Sequence, residues 1–526
     1  MRHIQVVIEG QKTTGKGLLT TDTIIIGAGL GGLAAAVRLA TRGVRVTVLE
    51  KNATVGGKVN IHQEAGYRFD TGASLLTMRH VLAELFQSAG RSVEDYLDII
   101  PLEPICRYRW PDGTVFDAST NPEQTEREIE RIAGARDVEG FRGFLADARR
   151  KYEVAERTFL SHSLNDLPRL LRPRYARDLA AVASWRTLDR HVRRHFRSPH
   201  LRQLFDRFAT YNGSSPYRTP ATFALIAYVE FGLGAWYVRG GMYELPAALA
   251  RLARELNVSI RNRVEVEKIL IERGRARGVR LTNGERIECD AVLVNADAVD
   301  AYRRLIERDA RRIYTDSKLE KIEPSCSGFV LLVGTKRRYP QLAHHNIFFS
   351  SDYPAEFRAI FEERRPAPDP TIYVCASSRT DETQAPGGHE NLFILVNAPS
   401  TDGPTDWAAR ARPYRDFVIR RLEENGLEKL NEAIDYERII TPADFEREYH
   451  ANRGSLYGIS SNKLRNAYLR PPNKARDIEG LYFAGGATHP GGGIPLVLLS
   501  GKMAAELLLR DKGEHKEGKR TSRLKE

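Results

Sequence analysis

Residues Thr23 to Glu50 constrain the fold of this chain more than any other stretch. Thr23-Ile24-Ile25-Ile26 is a β-branched run of the kind that fills a buried parallel strand. Gly27-Ala28-Gly29-Leu30-Gly31-Gly32 follows at once, and Leu33, Ala34, Val37 and Ala40 then recur at helical spacing up to Gly43. A second strand, Val44 to Leu49, ends in Glu50. Strand, glycine turn, helix, strand and terminal acid make a complete βαβ nucleotide-binding unit. Gly27 permits the tight turn, Gly29 leaves room for a pyrophosphate, and Gly32 lets the helix close on the sheet. The helix N-terminus offers free N–H groups and partial positive charge to that pyrophosphate. Glu50 is placed to accept hydrogen bonds from a ribose diol.

The next segment chooses the dinucleotide. Lys51-Asn52-Ala53-Thr54-Val55-Gly56-Gly57-Lys58 brings a second glycine pair and a cation toward the same diphosphate. Simple NAD dehydrogenases do not need this feature. It resembles the second FAD contact of the flavoprotein amine oxidase and carotenoid desaturase superfamily. Gly66 to Ser74 resembles the segment those enzymes bring toward the flavin ring. FAD is therefore the expected cofactor.

A length of 526 residues suits two or three lobes, and 42% hydrophobic with 28% charged residues excludes a disordered, collagen-like or polytopic membrane chain. Four scattered cysteines without a CxxC exclude a disulfide scaffold and a zinc cluster, and fit a reducing cytoplasm. No metal site is expected. His344-His345 on an extended segment should point to opposite faces. Residues 1–20 lack the apolar core of a signal peptide. Ala221 to Val238 is the most apolar run, but Glu230 argues against a span, because a mid-bilayer carboxylate costs ~2.5–3.5 kcal/mol. It reads as a buried helix lining an apolar cavity. An Asp112-Gly113 hairpin, a helix from Met242 to Leu256 and a β-meander from Ile269 to Val294 complete the regular pattern.

The closing run carries the most specific signal after the N-terminus. Leu481 to Ala484 reads as a strand, then Gly485-Gly486-Ala487-Thr488-His489-Pro490-Gly491-Gly492-Gly493-Ile494-Pro495 opens a helix from Leu496 through Leu509. This run resembles the closing signature of bacterial and fungal-type phytoene desaturases and their carotenoid-modifying relatives. The likeness spans roughly Asp22 to Leu508. It implies an α/β fold: a Rossmann-like, doubly wound FAD-binding domain with a β-meander, a mixed α+β substrate domain and a helical membrane-facing segment. The FAD-binding domain should be discontinuous (21–100, 242–300 and 470–509). The substrate domain should take 101–241 and 301–469, with its membrane-facing part at about 121–208 and a polar, disordered tail from 510. The resemblance assigns FAD contacts to Gly27, Ala28, Gly29, Leu30, Gly31, Gly32, Glu50, Lys51, Gly57, Lys58, Ala73, Ser74, Val266, Gly485, Gly486, Ile494 and Pro495. Lys58 stands where Arg is usual and Ala73 where Pro is common. Gly492 and Leu496 resemble relatives that act on modified or shorter carotenoids.

Such enzymes remove two hydrogens from a saturated C–C bond of a polyene, with flavin N5 accepting hydride. The implied partner is a long apolar isoprenoid, met by a tunnel for which Phe223, Tyr228, Phe231 and Trp236 are the candidate wall. The formal charge is 80 − 68 = +12, and Asn165 to Arg207 holds 11 Arg, 4 Asp and neither Lys nor Glu, a local +7. Interleaved Leu170, Leu171, Tyr175, Leu179 and Trp185 make that segment a candidate foot on anionic lipid, peripheral to the cytoplasmic membrane. No nucleic-acid recognition motif accompanies the arginines. His489 is a candidate for donating to a flavin carbonyl or taking a proton, with a turn-stabilising role as its alternative. No catalytic side chain is assigned. A carotenoid isomerase or oxygenase, a flavin amine oxidase and a non-enzymatic prenyl-binding protein are the rival readings.

Overall fold

The βαβ unit forms as β1 (Asp22–Ile26), α1 (Leu30–Ala40) and β2 (Arg45–Glu50) in a computed structural model that describes residues 22–166 and 185–523. The helix begins at Leu30, so Gly31 and Gly32 sit in its first turn. Gly27 has φ +94°, a conformation that disfavours any side chain. A Cβ on Gly32 would lie 2.4 Å from the Gly27 carbonyl oxygen, so the turn closes only on glycine.

β1 and β2 belong to a five-stranded sheet in the order Leu481–Phe483, Ala291–Val294, β1, β2, Ser259–Asn262, all parallel. The closing helix, Ile494–Arg523, packs along α1 so tightly that a Cβ on Gly501 would meet the Gly31 carbonyl oxygen at 2.3 Å. The helix continues well beyond Leu509, where the sequence had suggested a disordered polar tail. The meander is shorter than expected. Val266–Glu272, Arg275–Leu281 and Arg286–Glu288 form a three-stranded antiparallel sheet, whereas Ala291–Val294 leaves it to pair with β1. A fully buried four-residue apolar strand suits the centre of a parallel sheet better than the edge of a hairpin.

A seven-stranded sheet, order Ile434–Ile440, Ser327–Thr335, Glu390–Ala398, Ile372–Cys375, His345–Phe348, Cys106–Arg109, Val115–Ala118, builds the second lobe. The last two strands are the Asp112-Gly113 hairpin. Ser327–Thr335 is buried throughout, and its period of two divides its work. Phe329, Leu331 and Val333 pack on the Trp407–Glu424 helix, while Val330 and Leu332 face Tyr67 and Phe393. Helices Pro122–Ala133, Ala135–Arg157, Leu188–His195 and Pro199–Asp206 cover the hairpin end.

Ala221 to Val238 is not one helix. It divides into a 3-10 turn at Ala221–Ala224, a helix at Leu225–Phe231 and a strand at Trp236–Val238. Gly234 at φ +89° breaks the run. Leu170, Leu171, Tyr175 and Leu179 lie outside the described residues.

Candidate active site

One cavity of about 820 Å³ joins the two lobes. Gly27, Gly29, Leu30, Gly31, Glu50, Lys51, Gly57, Lys58, Ala73, Ser74, Val266, Gly486, Ile494 and Pro495 all line it. Three predicted contacts stand behind this wall. Gly32 closes the turn, the Ala28 N–H donates to Glu50 at 2.8 Å, and the Gly485 N–H donates to Ser500 Oγ at 3.1 Å.

The residues present fit an FAD. The first turn of α1 carries neither a side-chain cap nor an acid, so its amides remain for a diphosphate. The opposing loop Gly56-Gly57 and the run Gly486, Gly492 and Gly493 keep the rest of this strip free of side chains. Glu50 is buried and accepts from Ala28 N–H at Oε2 and from Asn52 N–H at Oε1 (2.9 Å). A carboxylate has about four lone-pair sites, which leaves acceptor capacity for ribose hydroxyls. The two cations also carry hydrogen bonds within the chain. Lys58 donates to the carbonyl oxygens of Ser455 and Leu456 at 2.7 and 2.8 Å, and burial pulls its pKa down to about 8. Lys51 donates to the Arg447 carbonyl at 3.3 Å. Both line the cavity and also tie the glycine loop to the 447–456 segment.

His489 does not reach the cavity. It is fully buried, its Nε2 lies 2.9 Å from the carbonyl oxygens of both Phe159 and His162, and burial lowers its pKa to about 4. It pins two loops together, the alternative that a His before Pro allows. Of the expected aromatic wall only Phe223 lines the cavity. Tyr228 packs on Tyr152, Phe231 on Phe141 and Phe205, and Trp236 under Arg79. Leu225, Ile226 and Val229 provide the wall from this run instead.

Two polar constellations on the wall were not read from the sequence. Arg207 and Glu230 form a buried pair at 3.1 Å, Tyr108 donates to Glu230 Oε1 at 3.2 Å, and Tyr211 donates to its other oxygen. The guanidinium also lies over the rings of Tyr108, Phe208 and Tyr211 at 5.0–5.3 Å. Glu230 held the clue. A carboxylate inside an apolar run demands a buried partner. The second constellation is a chain in which Ser74 Oγ meets Tyr373 OH at 2.5 Å and Tyr373 OH meets His345 Nδ1 at 2.8 Å.

His344 and His345 do not diverge. Residue 344 precedes the strand, so the alternation rule does not apply to it, and the two rings meet at 4.4 Å. With Cys375 they place three candidate ligand atoms within 4.8 Å of one another, and neither Nε2 has a hydrogen-bond partner among the described residues. The sequence had separated these side chains. Burial keeps both imidazoles neutral: His344 is pushed down to about 3, and His345 well below its usual value, with neighbouring His344 and the Arg207 charge adding to the effect.

Residues 30–509 match the family of flavin containing amine oxidoreductases. The chain belongs to that family. It is an FAD-dependent oxidoreductase, and the likeness to carotenoid desaturase-type enzymes holds at family level. The chain is 40% identical over 495 residues to a 4,4'-diapolycopene oxygenase of Methylomonas sp, covering 93% of this chain and 98% of that protein. It is 36% identical over 492 residues to a 4,4'-diaponeurosporene oxygenase of Staphylococcus aureus strain MSSA476, with the same coverage. Among solved structures, an oxidoreductase from Methanosarcina mazei aligns with TM-score 0.61 at 18% identity over 92% of this chain and all of that one. Cyclohexylamine oxidase from Brevibacterium oxydans aligns with TM-score 0.59 at 17% identity over 94% and 100%. These structures share the fold.

Proposed function

We infer that this flavoenzyme oxidises a 4,4'-diapocarotenoid, introducing oxygen rather than desaturating phytoene. The cavity carries the reading. Leu75, Phe159, Leu160, Ile226, Val229 and Leu395 wall it beside the flavin strip. A polyene forms no hydrogen bonds, so its recognition rests on burial at ~25 cal/mol per Å2 of apolar surface. Arg207, Tyr211, Glu230 and His345 on the same wall supply the hydrogen-bonding groups that an oxygen-bearing terminus can use. The names of the two relatives, and a closing run like that of enzymes for modified or shorter carotenoids, support this choice over a desaturase. Bound FAD would take the hydride lost by the oxidised carbon, and water would supply the oxygen atom and release the balancing proton; the chain positions the polyene and keeps a neutral imidazole at the wall. An amine oxidase would offer its cationic substrate an acid or an aromatic cage near the flavin, and Glu230 on this wall is already paired with Arg207.

Peripheral contact with anionic lipid at the cytoplasmic face belongs to the same reading, because the substrate dissolves in lipid. Among the described residues no helix is long and apolar enough to cross a membrane. Trp185 is 87% exposed, and Leu469, 52% exposed, also lines the cavity.

Expression in bacterial hosts that accumulate either 4,4'-diapolycopene or phytoene tests the function. Chromatography with mass detection should show products gaining oxygen from the first and unchanged phytoene in the second. Desaturated phytoene with untouched diapolycopene would reverse the reading.

A further inference from the structure

Among the described residues four Lys and Arg residues are almost wholly withdrawn from solvent, Lys151, Arg207, Arg311 and Arg470, whereas Lys58 keeps part of its surface and feels the charge of Asp297. Three have a carboxylate partner: Asp147, Glu230 and Asp316 respectively. Arg470 has none among the described residues. Its guanidinium donates to the Gly486 carbonyl oxygen at 3.4 Å and to Ser461 Oγ at 3.2 Å, both neutral acceptors. Its charge acts on His489, and no acid acts on it in return. A buried charge without a counter-charge is costly, so it persists where the working state of the site supplies one.

Its surroundings narrow the source of that charge. Arg470 lines the cavity and packs against Gly491, where its Nε would lie 3.3 Å from an added Cβ. Its backbone is held on the closing run, because the His489 N–H donates to the Pro471 carbonyl at 3.0 Å and the Asn473 amide donates to the His489 carbonyl at 2.9 Å. Gly486, Gly492, Gly493 and Ile494 continue the same wall. The diphosphate cradle at the start of α1 already has its own amides and helix terminus.

We propose that Arg470 is the fixed positive charge that balances the anionic reduced flavin. Hydride uptake brings two electrons and one proton to the neutral ring system, leaving one net negative charge. A second proton would cancel it in water; Arg470 holds it unprotonated instead. This rests on the FAD assignment and not on the choice of substrate.

The test uses the FAD-loaded protein and needs no carotenoid. Midpoint potentials are measured by slow enzymatic reduction against a reference dye, from pH 5 to 8. The parent should take up one proton per two electrons over the whole range, a slope of ~30 mV per pH unit. R470Q should bind oxidised FAD nearly as tightly but reduced FAD at least tenfold more weakly, lowering its potential by ~30 mV or more. R470K, which keeps the charge, should stay near the parent. Uptake of two protons by the parent at acid pH, or equal loss of both flavin forms in R470Q, would overturn the assignment. If R470Q does not fold, the parent's proton count and R470K decide it alone.

Discussion

The amide of Ala28 donates to Glu50 Oε2 at 2.8 Å, so the glycine turn after β1 and the acid that ends β2 form one hydrogen-bonded unit. Glu50 Oε1 accepts from Asn52 N–H as well, and both acceptors must be oxygens. E50Q replaces one of them with an N–H donor facing another donor. A lost buried partner costs about 1–3 kcal/mol. FAD affinity, read by titrating apoprotein with FAD, should fall at least tenfold, while secondary structure by circular dichroism stays unchanged.

Removing one member of the Arg207–Glu230 pair leaves the other charge buried and uncompensated, at about 3–5 kcal/mol. R207M and E230L should each lower the urea midpoint substantially. R207M/E230L, which removes both charges, should be less damaged than R207M alone. A double variant as unstable as the sum of the singles would show that the two side chains act independently.

His489 sits neutral in the fold, with a pKa of about 4 against 6.5 for a free histidine. A histidine lowered by folding stabilises fully above pH 6.5, and that contribution is lost as pH falls from 6.5 toward 4. The slope approaches about 1.4 kcal/mol per pH unit. Asp70, Glu356 and Glu390 are raised by burial and titrate oppositely over part of this range, so the histidine is isolated by difference. H489Q keeps a donor for the Phe159 and His162 carbonyls. Its stability deficit relative to the parent should shrink steadily between pH 6.5 and 4 in parallel denaturant titrations, with the rate of flavin reduction little changed.

Y373F cuts the chain from Ser74 to His345 and leaves Nδ1 of His345 without its partner. Stability should fall by ~1 kcal/mol. Stopped-flow reduction of the flavin by diapocarotenoid in vesicles should slow about tenfold, with apparent substrate affinity nearly constant. An unchanged rate would remove this chain from the chemistry.

W185E and L469E place a carboxylate at two exposed apolar positions, one of them on the cavity wall. Sedimentation with vesicles containing anionic lipid should fall several-fold for both. The parent's binding should weaken as salt rises, because surface attraction decays over a Debye length of ~8–10 Å.

Local signals carried the nucleotide lobe. Thr23 to Glu50 and the closing run contain their own strand, turn and helix punctuation, and the motif glycines and Ile494-Pro495 meet at one strip. What escaped was long-range. His345 and Cys375 face each other across antiparallel strands, a register no local pattern encodes. Glu230 announced a buried partner without naming Arg207, which stands in an arginine-rich stretch that reads as surface. The aromatic wall failed because Ala221 to Val238 is not one helix: Leu225, Ile226 and Val229 turn one face of the short helix to the cavity, Tyr228 and Phe231 lie on its other face, and Trp236 follows the break at Gly234. The carbonyl oxygens to which Lys58 donates lie at 455 and 456, a pairing no local pattern encodes.

The fifth strand of the parallel sheet comes from Leu481–Phe483, and the helix that seals Gly31 starts at Ile494. On a translating ribosome, β1, α1 and β2 emerge long before these partners, which lie hundreds of residues further along the chain. Cofactor capture is thereby deferred until the chain through Ile494 and Gly501 has left the exit tunnel, and a message truncated before Ile494 yields a product that never turns yellow.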